Sequence, residues 1–256
     1  MSAKTYTTEN IRNIAVVGHS DTGKTSLVSA MLFNGGVVNR LCKVDDGNTT
    51  TDFDEDEHDR KITINTSVAH FDHNGTKINL IDAPGYGIYT TDAVQGLRVA
   101  DMALLLISAV SGVEVQTDKM WKAAASFDLP VIFGINMMDR DRASHSRTIE
   151  ALQNKYGREV TPIQVPIGKE ADFNGVVDLV SGKAFTWEHD ESGKATEVDV
   201  PGDLAEEVSS AREALMEMVA EQDEELMDAY LEAGELDTET FIGGLKKAVA
   251  QRALFP

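Results

Sequence analysis

Gly18-His19-Ser20-Asp21-Thr22-Gly23-Lys24-Thr25, with Ser26 behind it, is the stretch on which the reading of this chain turns. It fits G-x-x-x-x-G-K-[ST], the pattern of a phosphate-binding loop. Gly18 and Gly23 let the backbone turn so that successive N–H groups point inward at phosphate oxygens. A helix opening at the end of the loop adds its positive dipole end. Lys24 is then placed to bridge β- and γ-phosphates, and the Thr25 hydroxyl to ligate Mg2+. The string arises by chance in roughly one chain of this length in a hundred. Its setting lowers that chance further: residues 14–17 read as a buried strand before it and residues 24–33 as a helix after it.

Outward from the loop, short apolar runs alternate with amphipathic stretches, the pattern of a parallel sheet covered by helices. Residues 78–81, 103–107 and 131–135 read as further buried strands, and residues 90–100, 117–127 and 142–156 as helices. Residues 62–71 and 77–82 flank His73-Asn74-Gly75, a hairpin turn signal. Residues 39–61 have little hydrophobic periodicity and predict a long, mobile loop. From about Gly157 the texture changes. Residues 160–167, 176–179, 184–187 and 196–200 suggest a small sheet, with turns at Asn174-Gly175 and Ser181-Gly182. Leu204, Val208, Ala211, Leu215 and Val219, then Phe241, Leu245 and Val249 after a cap at Asp237 or Thr238, fall at helical spacing. The expected fold is α/β of the P-loop NTPase type, a mostly parallel sheet flanked by helices, with an α+β subdomain attached. The expected domains are residues 1–157 and 158–256.

Two more motifs choose among P-loop proteins. Asp82-Ala83-Pro84-Gly85 ends the strand at 78–81; an Asp there can hold Mg2+ through water, and the Gly85 N–H can reach a γ-phosphate. Asn136-Met137-Met138-Asp139 follows the strand at 131–135, where G proteins place N-K-x-D. Asp139 would accept from guanine N1–H and N2–H2, a pairing adenine lacks, and an unpaired buried acceptor makes such discrimination steep. Three motifs in this order, each at a strand end, point to a Mg2+-dependent GTPase and away from P-loop ATPases and kinases.

Composition bounds the class. The chain carries a net charge of −20, and from Asp203 to Glu239 fourteen Asp or Glu face one Arg. A field of that sign opposes broad nucleic-acid binding. No apolar run approaches the ~20 residues that span a bilayer. The opening MSAKTYTTENIRN lacks the pattern of a secretory leader, and Cys42 is the single cysteine, so a cytoplasmic protein is expected. Residues 52–59, with His58 among carboxylates, have the look of a metal cluster, but a solvated mobile loop is the simpler expectation. His70 and His73 read as surface residues, and Trp121 and Trp187 as packing.

GHSDTGKTSL, RKITI (residues 60–64), DAPGY (82–86), GVEVQT (112–117) and NMMDR (136–140) resemble the corresponding blocks of translational GTPases. PIQVPIGKEADFNGVVDLVSGKAFTWE (162–188) resembles the subdomain inserted in elongation factor G. The resemblance runs from about Asn10 to Pro256. It implies that Thr63 ligates Mg2+, that residues 39–61 form switch one, ordered by GTP, and that Asp21 sits where some of these GTPases hold a monovalent cation. It also implies a ribosomal step such as translocation as the destination of GTP hydrolysis, and docking of a basic stalk protein on the inserted subdomain. A GTP-gated ribosome-associated switch with little hydrolysis is the alternative.

Three departures qualify the resemblance. Elongation factor G carries His after D-x-P-G to position the attacking water; here the residue is Tyr86, a phenol that stays neutral at a reference pKa of ~10. Slow or differently triggered hydrolysis is the expectation. Met137 replaces the family's Lys, keeping an apolar stem and losing the charge, which implies weaker nucleotide binding. The chain stops at Ala253-Leu254-Phe255-Pro256, where the family continues into a last strand, so a fragment is expected.

Overall fold

The computed structural model describes residues 5–188, 190 and 192–256; the first four residues of the opening segment lie outside them. The chain divides into two compact units: residues 5–107 with 114–136, and residues 108–113 with 137–256.

The first unit is built on five strands, β1 (Ile11–Gly18), β2 (Ser67–His73), β3 (Thr76–Asp82), β4 (Met102–Ser108) and β5 (Val131–Asn136), in the order β2-β3-β1-β4-β5. β1 runs parallel to β3 and β4, while β2 joins β3 as an antiparallel hairpin. The turn at Asn74-Gly75 takes positive φ at both residues (46° and 82°), as a two-residue hairpin loop requires. Side chains alternate by period two. Val16, Leu80 and Leu106 pack with Val28 and Leu32 of α1 (Lys24–Asn34). The neighbouring Ala15, Val17, Ile81, Leu105 and Ile107 are also buried, and Ile81 meets Gly96 of α3 (Thr90–Arg98), where a Cβ would come within 3.1 Å of it. A fourth helix of this unit, α4 (Val115–Ser126), buries Met120 and Ala124 and packs on β1. Trp121 stacks on Phe133 with ring centroids 5.5 Å apart, the packing role expected of it.

The long loop expected over residues 39–61 is irregular for most of its length, but it contains a short 3-10 turn (Val44–Asp46) and α2 (Glu55–Arg60), capped by Asp54, whose side chain accepts from the Asp56 N–H. Glu57 is fully buried, and its carboxylate accepts from four backbone groups: Phe53, Asp54, Ile64 and Asn65 N–H, at 2.9–3.1 Å. The last two donors explain a second correction. Residues 62–66 were expected to extend the hairpin strand, but the Ile64 and Asn65 N–H groups are taken by the Glu57 carboxylate and the Ile62 N–H by the Glu57 carbonyl, and β2 begins only at Ser67.

The second unit opens with α5 (His145–Tyr156), whose cap Ser144 accepts from the Arg147 N–H. A four-stranded antiparallel sheet follows, β6 (Gln164–Ile167), β7 (Gly175–Asp178), β8 (Lys183–Trp187) and β9 (Ala195–Val198), in sequence order. Gly182 provides the expected turn at φ 72°, whereas Gly175 belongs to β7, with residues 168–174 as the connection. Three helices complete the unit: α6 (Ala205–Ala220), α7 (Glu224–Ala233) and α8 (Thr238–Ala250), the last capped by Asp237. Val208, Leu215 and Val219 of α6 and Phe241 and Leu245 of α8 form one core with Val165, Val177, Leu179 and Ala184 of the sheet. Each fully buried side chain of this kind is worth roughly 1.5–3 kcal/mol. Arg212, the lone cation of the acidic stretch, donates to the Leu179 and Val180 carbonyls and lies over the Phe241 ring.

Candidate functional site

The loop between β1 and α1 is shaped by two glycines at which any side chain would be strained. Gly18 has φ 153°, and a Cβ on it would lie 2.4 Å from the Leu106 carbonyl oxygen. Gly23, the N-cap of α1, is left-handed at φ 86°, with Asn136 Nδ2 2.4 Å from the position of its would-be Cβ. Asn136 uses that nitrogen to donate to the Thr22 carbonyl at 2.9 Å, so the end of β5 is tied to the loop. Ser20 is partly covered, and Ser26 and Asp21 are exposed. Met137 takes a left-handed φ of 61°, Met138 is buried and Asp139 is exposed.

Lys24 lies buried, and its Nζ donates to the His19 carbonyl at 2.6 Å. Burial lowers its pKa to about 8 against the pull of Asp82 and Asp21. Beside it, the Thr25 and Thr63 hydroxyls are 2.8 Å apart, and Thr63 donates to Asp52 Oδ1 at 2.8 Å. Thr51 donates to Asp82 Oδ2 at 2.7 Å. Asp82 Oδ1 is buried with no hydrogen-bond partner among the described residues. Burial raises the Asp82 pKa to about 6, with Asp52 adding to the rise. Ala83 and Pro84 are buried behind this carboxylate, and the Ala83 N–H reaches the Val16 carbonyl at 3.3 Å. Gly85 sits so close that a Cβ on it would come 2.3 Å from Lys24 Nζ. Tyr86 is 36% exposed and its hydroxyl donates to Asp21 Oδ2 at 3.4 Å.

Thus Gly18, Lys24, Thr25, Thr63, Asp82 and Gly85 are gathered at one place from three separate stretches of chain. The arrangement fits the groups the sequence implied. An orphaned carboxylate oxygen beside two hydroxyls is a hard, all-oxygen donor set of the kind Mg2+ takes. Among the described residues no three His, Cys, Asp or Glu converge as a metal cluster, so such an ion would draw its other ligands from water and phosphate. The loop whose space no Cβ may enter, with one buried ammonium, fits phosphate oxygens.

Two residues escaped the sequence reading. Asp52 was expected in a solvated loop, yet it is 3% exposed, held by Thr49 and Thr63. Gln116, 4% exposed, joins His19 to Thr90. The D-x-x-E spacing of Asp54 and Glu57 was the available signal for the first; a glutamine in a helix gives none.

With this geometry in place, the comparison with known families decides the assignment. The model of the elongation factor Tu GTP binding domain matches residues 9–251. The chain belongs to that family. It is 36% identical over all 256 residues to elongation factor G of Thermotoga maritima, and so spans 37% of that protein's length. A crystal structure from Thermus thermophilus superposes with a TM-score of 0.89 at 33% identity, covering 96% of this chain and 36% of that one. The fold is therefore the GTP-binding domain of a translational GTPase of the elongation factor G type, with the four-stranded subdomain of that type. No helix among the described residues is long and apolar enough to cross a membrane.

Proposed function

We propose that this chain binds GTP and GDP with Mg2+ and hydrolyses GTP to drive a ribosomal step such as translocation. The observation that carries the reading is Asp82 Oδ1, buried and unpartnered beside the Thr25 and Thr63 hydroxyls. Lys24 and the N–H groups of residues 18–26 hold the phosphates; Thr25, Thr63 and Asp82 hold the metal, which supplies charge neutralisation on the transferred phosphoryl group. Gly85 presents its N–H to the γ-phosphate, and Tyr86 stands where the attacking water is oriented. Asn136, Met137, Met138 and Asp139 form the guanine side, and a monovalent cation belongs near Asp21. We place the core at residues 1–157 and the inserted subdomain at 158–256, a division that assigns α5 to the core. The acidic subdomain suits a basic stalk protein at the large-subunit factor site, in the cytoplasm.

Calorimetric titration with GTP, GDP and ATP in Mg2+ tests the reading. Guanine nucleotides are expected to bind and ATP not; ATP binding alone overturns it. In Asp139→Asn the preference for guanine over adenine is expected to fall by about 10–100-fold, since the amide cannot accept from both guanine donors. Unchanged selectivity would remove Asp139 from the guanine site.

A second reading, a GTP-gated switch with little hydrolysis, is favoured by one feature. The Tyr86 hydroxyl is directed at Asp21, and a phenol supplies no imidazolium. Tyr86→His is expected to raise ribosome-stimulated GTP turnover by about 10-fold or more, in the range of a positioned acid–base group. A variant no faster than the parent counts against Tyr86 as the limiting residue.

A further inference from the structure

The turn after Gly85 is tied to the phosphate loop at both of its ends. At one end, Tyr86 donates from its hydroxyl to Asp21 Oδ2 at 3.4 Å. At the other, Thr90 donates to the Gly87 carbonyl and receives Gln116 Nε2, both at 2.8 Å. The Gln116 N–H in turn donates to His19 Nδ1 at 3.4 Å, and His19 Nε2 faces Glu114 at 3.4 Å. His19 and Asp21 are two residues apart, so the links close into a ring that runs from loop to helix to turn and back to the loop. Gln116 is buried within it. Asp21 itself sits at φ 58°, a left-handed conformation that Asp tolerates better than most residues. Its carboxylate is the one member of the ring that is both charged and exposed next to Tyr86.

We propose that Asp21 is a positioning residue for Tyr86, and that their contact is a clasp over the phosphate loop that slows release of bound guanine nucleotide. The proposal rests on the nucleotide-binding reading above and adds a control to it. A phenol has one proton. Directed at a carboxylate, even over a long 3.4 Å contact, it is turned away from a water molecule. Tyr86 therefore helps to hold the turn against the loop, and bound nucleotide leaves faster once that contact is lost. Because the contact is partly exposed, its effect is modest.

The experiment is release of a fluorescent GDP from the purified chain into excess unlabelled GDP. Tyr86→Phe and Asp21→Gly, glycine being chosen for the left-handed backbone, are each expected to release about two- to tenfold faster. The double variant is expected to be no faster than the faster single one. Asp21→Asn keeps an acceptor oxygen and the same backbone preference, so it should release more slowly than Asp21→Gly. A Tyr86→Phe rate equal to the parent's, multiplicative effects in the double variant, or equal rates for the two Asp21 variants would each overturn the clasp. Failure of the chain to take up GDP would instead sink the guanine reading. In that case fluorine NMR of chain labelled with fluorotyrosine and without nucleotide still decides. The Tyr86 resonance, assigned by its loss in Tyr86→Phe, moves in Asp21→Gly if the clasp exists and stays in place if it does not.

Discussion

Asp82→Asn is expected to make the chain more stable and less able to use Mg2+. Asp82 is fully buried, and its carboxyl is pushed up to about 6 by that burial. Between the ordinary carboxylate range and pH 6 the folded chain binds a proton that the unfolded chain has released, so stability falls as pH rises through that window and stays lowered above it. Lys24 acts in the mirror sense. Its pKa of about 8 lies below the ordinary 10.5, so its penalty is complete below pH 8 and is relieved as pH climbs towards 10.5. The two penalties overlap from about pH 6 to about pH 8, where the site holds two buried charges. An amide at position 82 removes one of them while its oxygen still accepts from Thr51. The expected gain without nucleotide is about 1–3 kcal/mol at pH 7, roughly 3–8 °C in Tm, shrinking towards zero near pH 4. Over the same change Mg2+-dependent GTP affinity should drop roughly 10–100-fold, as for other groups behind a metal. Thermal melts against pH and titrations at several Mg2+ concentrations check both halves. Loss of stability at pH 7 would mean that the carboxylate is already compensated within the protein.

The opposed signs explain which parts of this molecule the sequence discloses. The β1–loop–α1 unit was legible because a spaced motif and a period-two apolar run agree on it, and Gly18 and Gly23 sit where a side chain would be strained. Asp82 was legible as the end of an apolar strand. The arrangement of residues 53–65 was not, since a buried carboxylate gathers it: Glu57 collects four N–H groups, two of them seven and eight positions along the chain. Ile62, Thr63 and Ile64 have β-branched side chains and invite a strand assignment, but the strand ladder loses to Glu57. Asp52 looked solvated because acidic neighbours usually are; only the fold brings Thr49 and Thr63 to it. In the second unit the helical spacing of Val208, Leu215 and Val219 was enough to find the core. The bounds of α7, which buries no residue fully, left no comparable stripe to read.

Gly85→Ala should separate holding nucleotide from using it. A Cβ at position 85 would come 2.3 Å from Lys24 Nζ and 2.7 Å from the His19 carbonyl oxygen. A lysine tip ordinarily moves aside at little cost, but this one is buried and fixed at 2.6 Å to that same carbonyl, and the carbonyl is backbone. Relief therefore comes from the 85–86 segment swinging away from the loop, which takes the Gly85 N–H and Tyr86 with it. A misplacement of about 1 Å at a reacting centre can cost a hundredfold in rate. Ribosome-stimulated GTP hydrolysis is expected to fall by about 100-fold or more, while GDP affinity, which needs no contact from Gly85, changes by less than about tenfold. Gly243→Ala is the matching control. It lies inside α8 with no atom within 4 Å of the added methyl, so it should leave hydrolysis unchanged and add about 0.5–1 kcal/mol of stability. If Gly85→Ala hydrolyses GTP at the parent rate, the segment tolerates the methyl, and contact between Gly85 and the γ-phosphate is not required. If GDP affinity collapses along with the rate, Lys24 has been displaced from the phosphates themselves, and the 85–86 segment is part of the binding site rather than a reporter of its last phosphate.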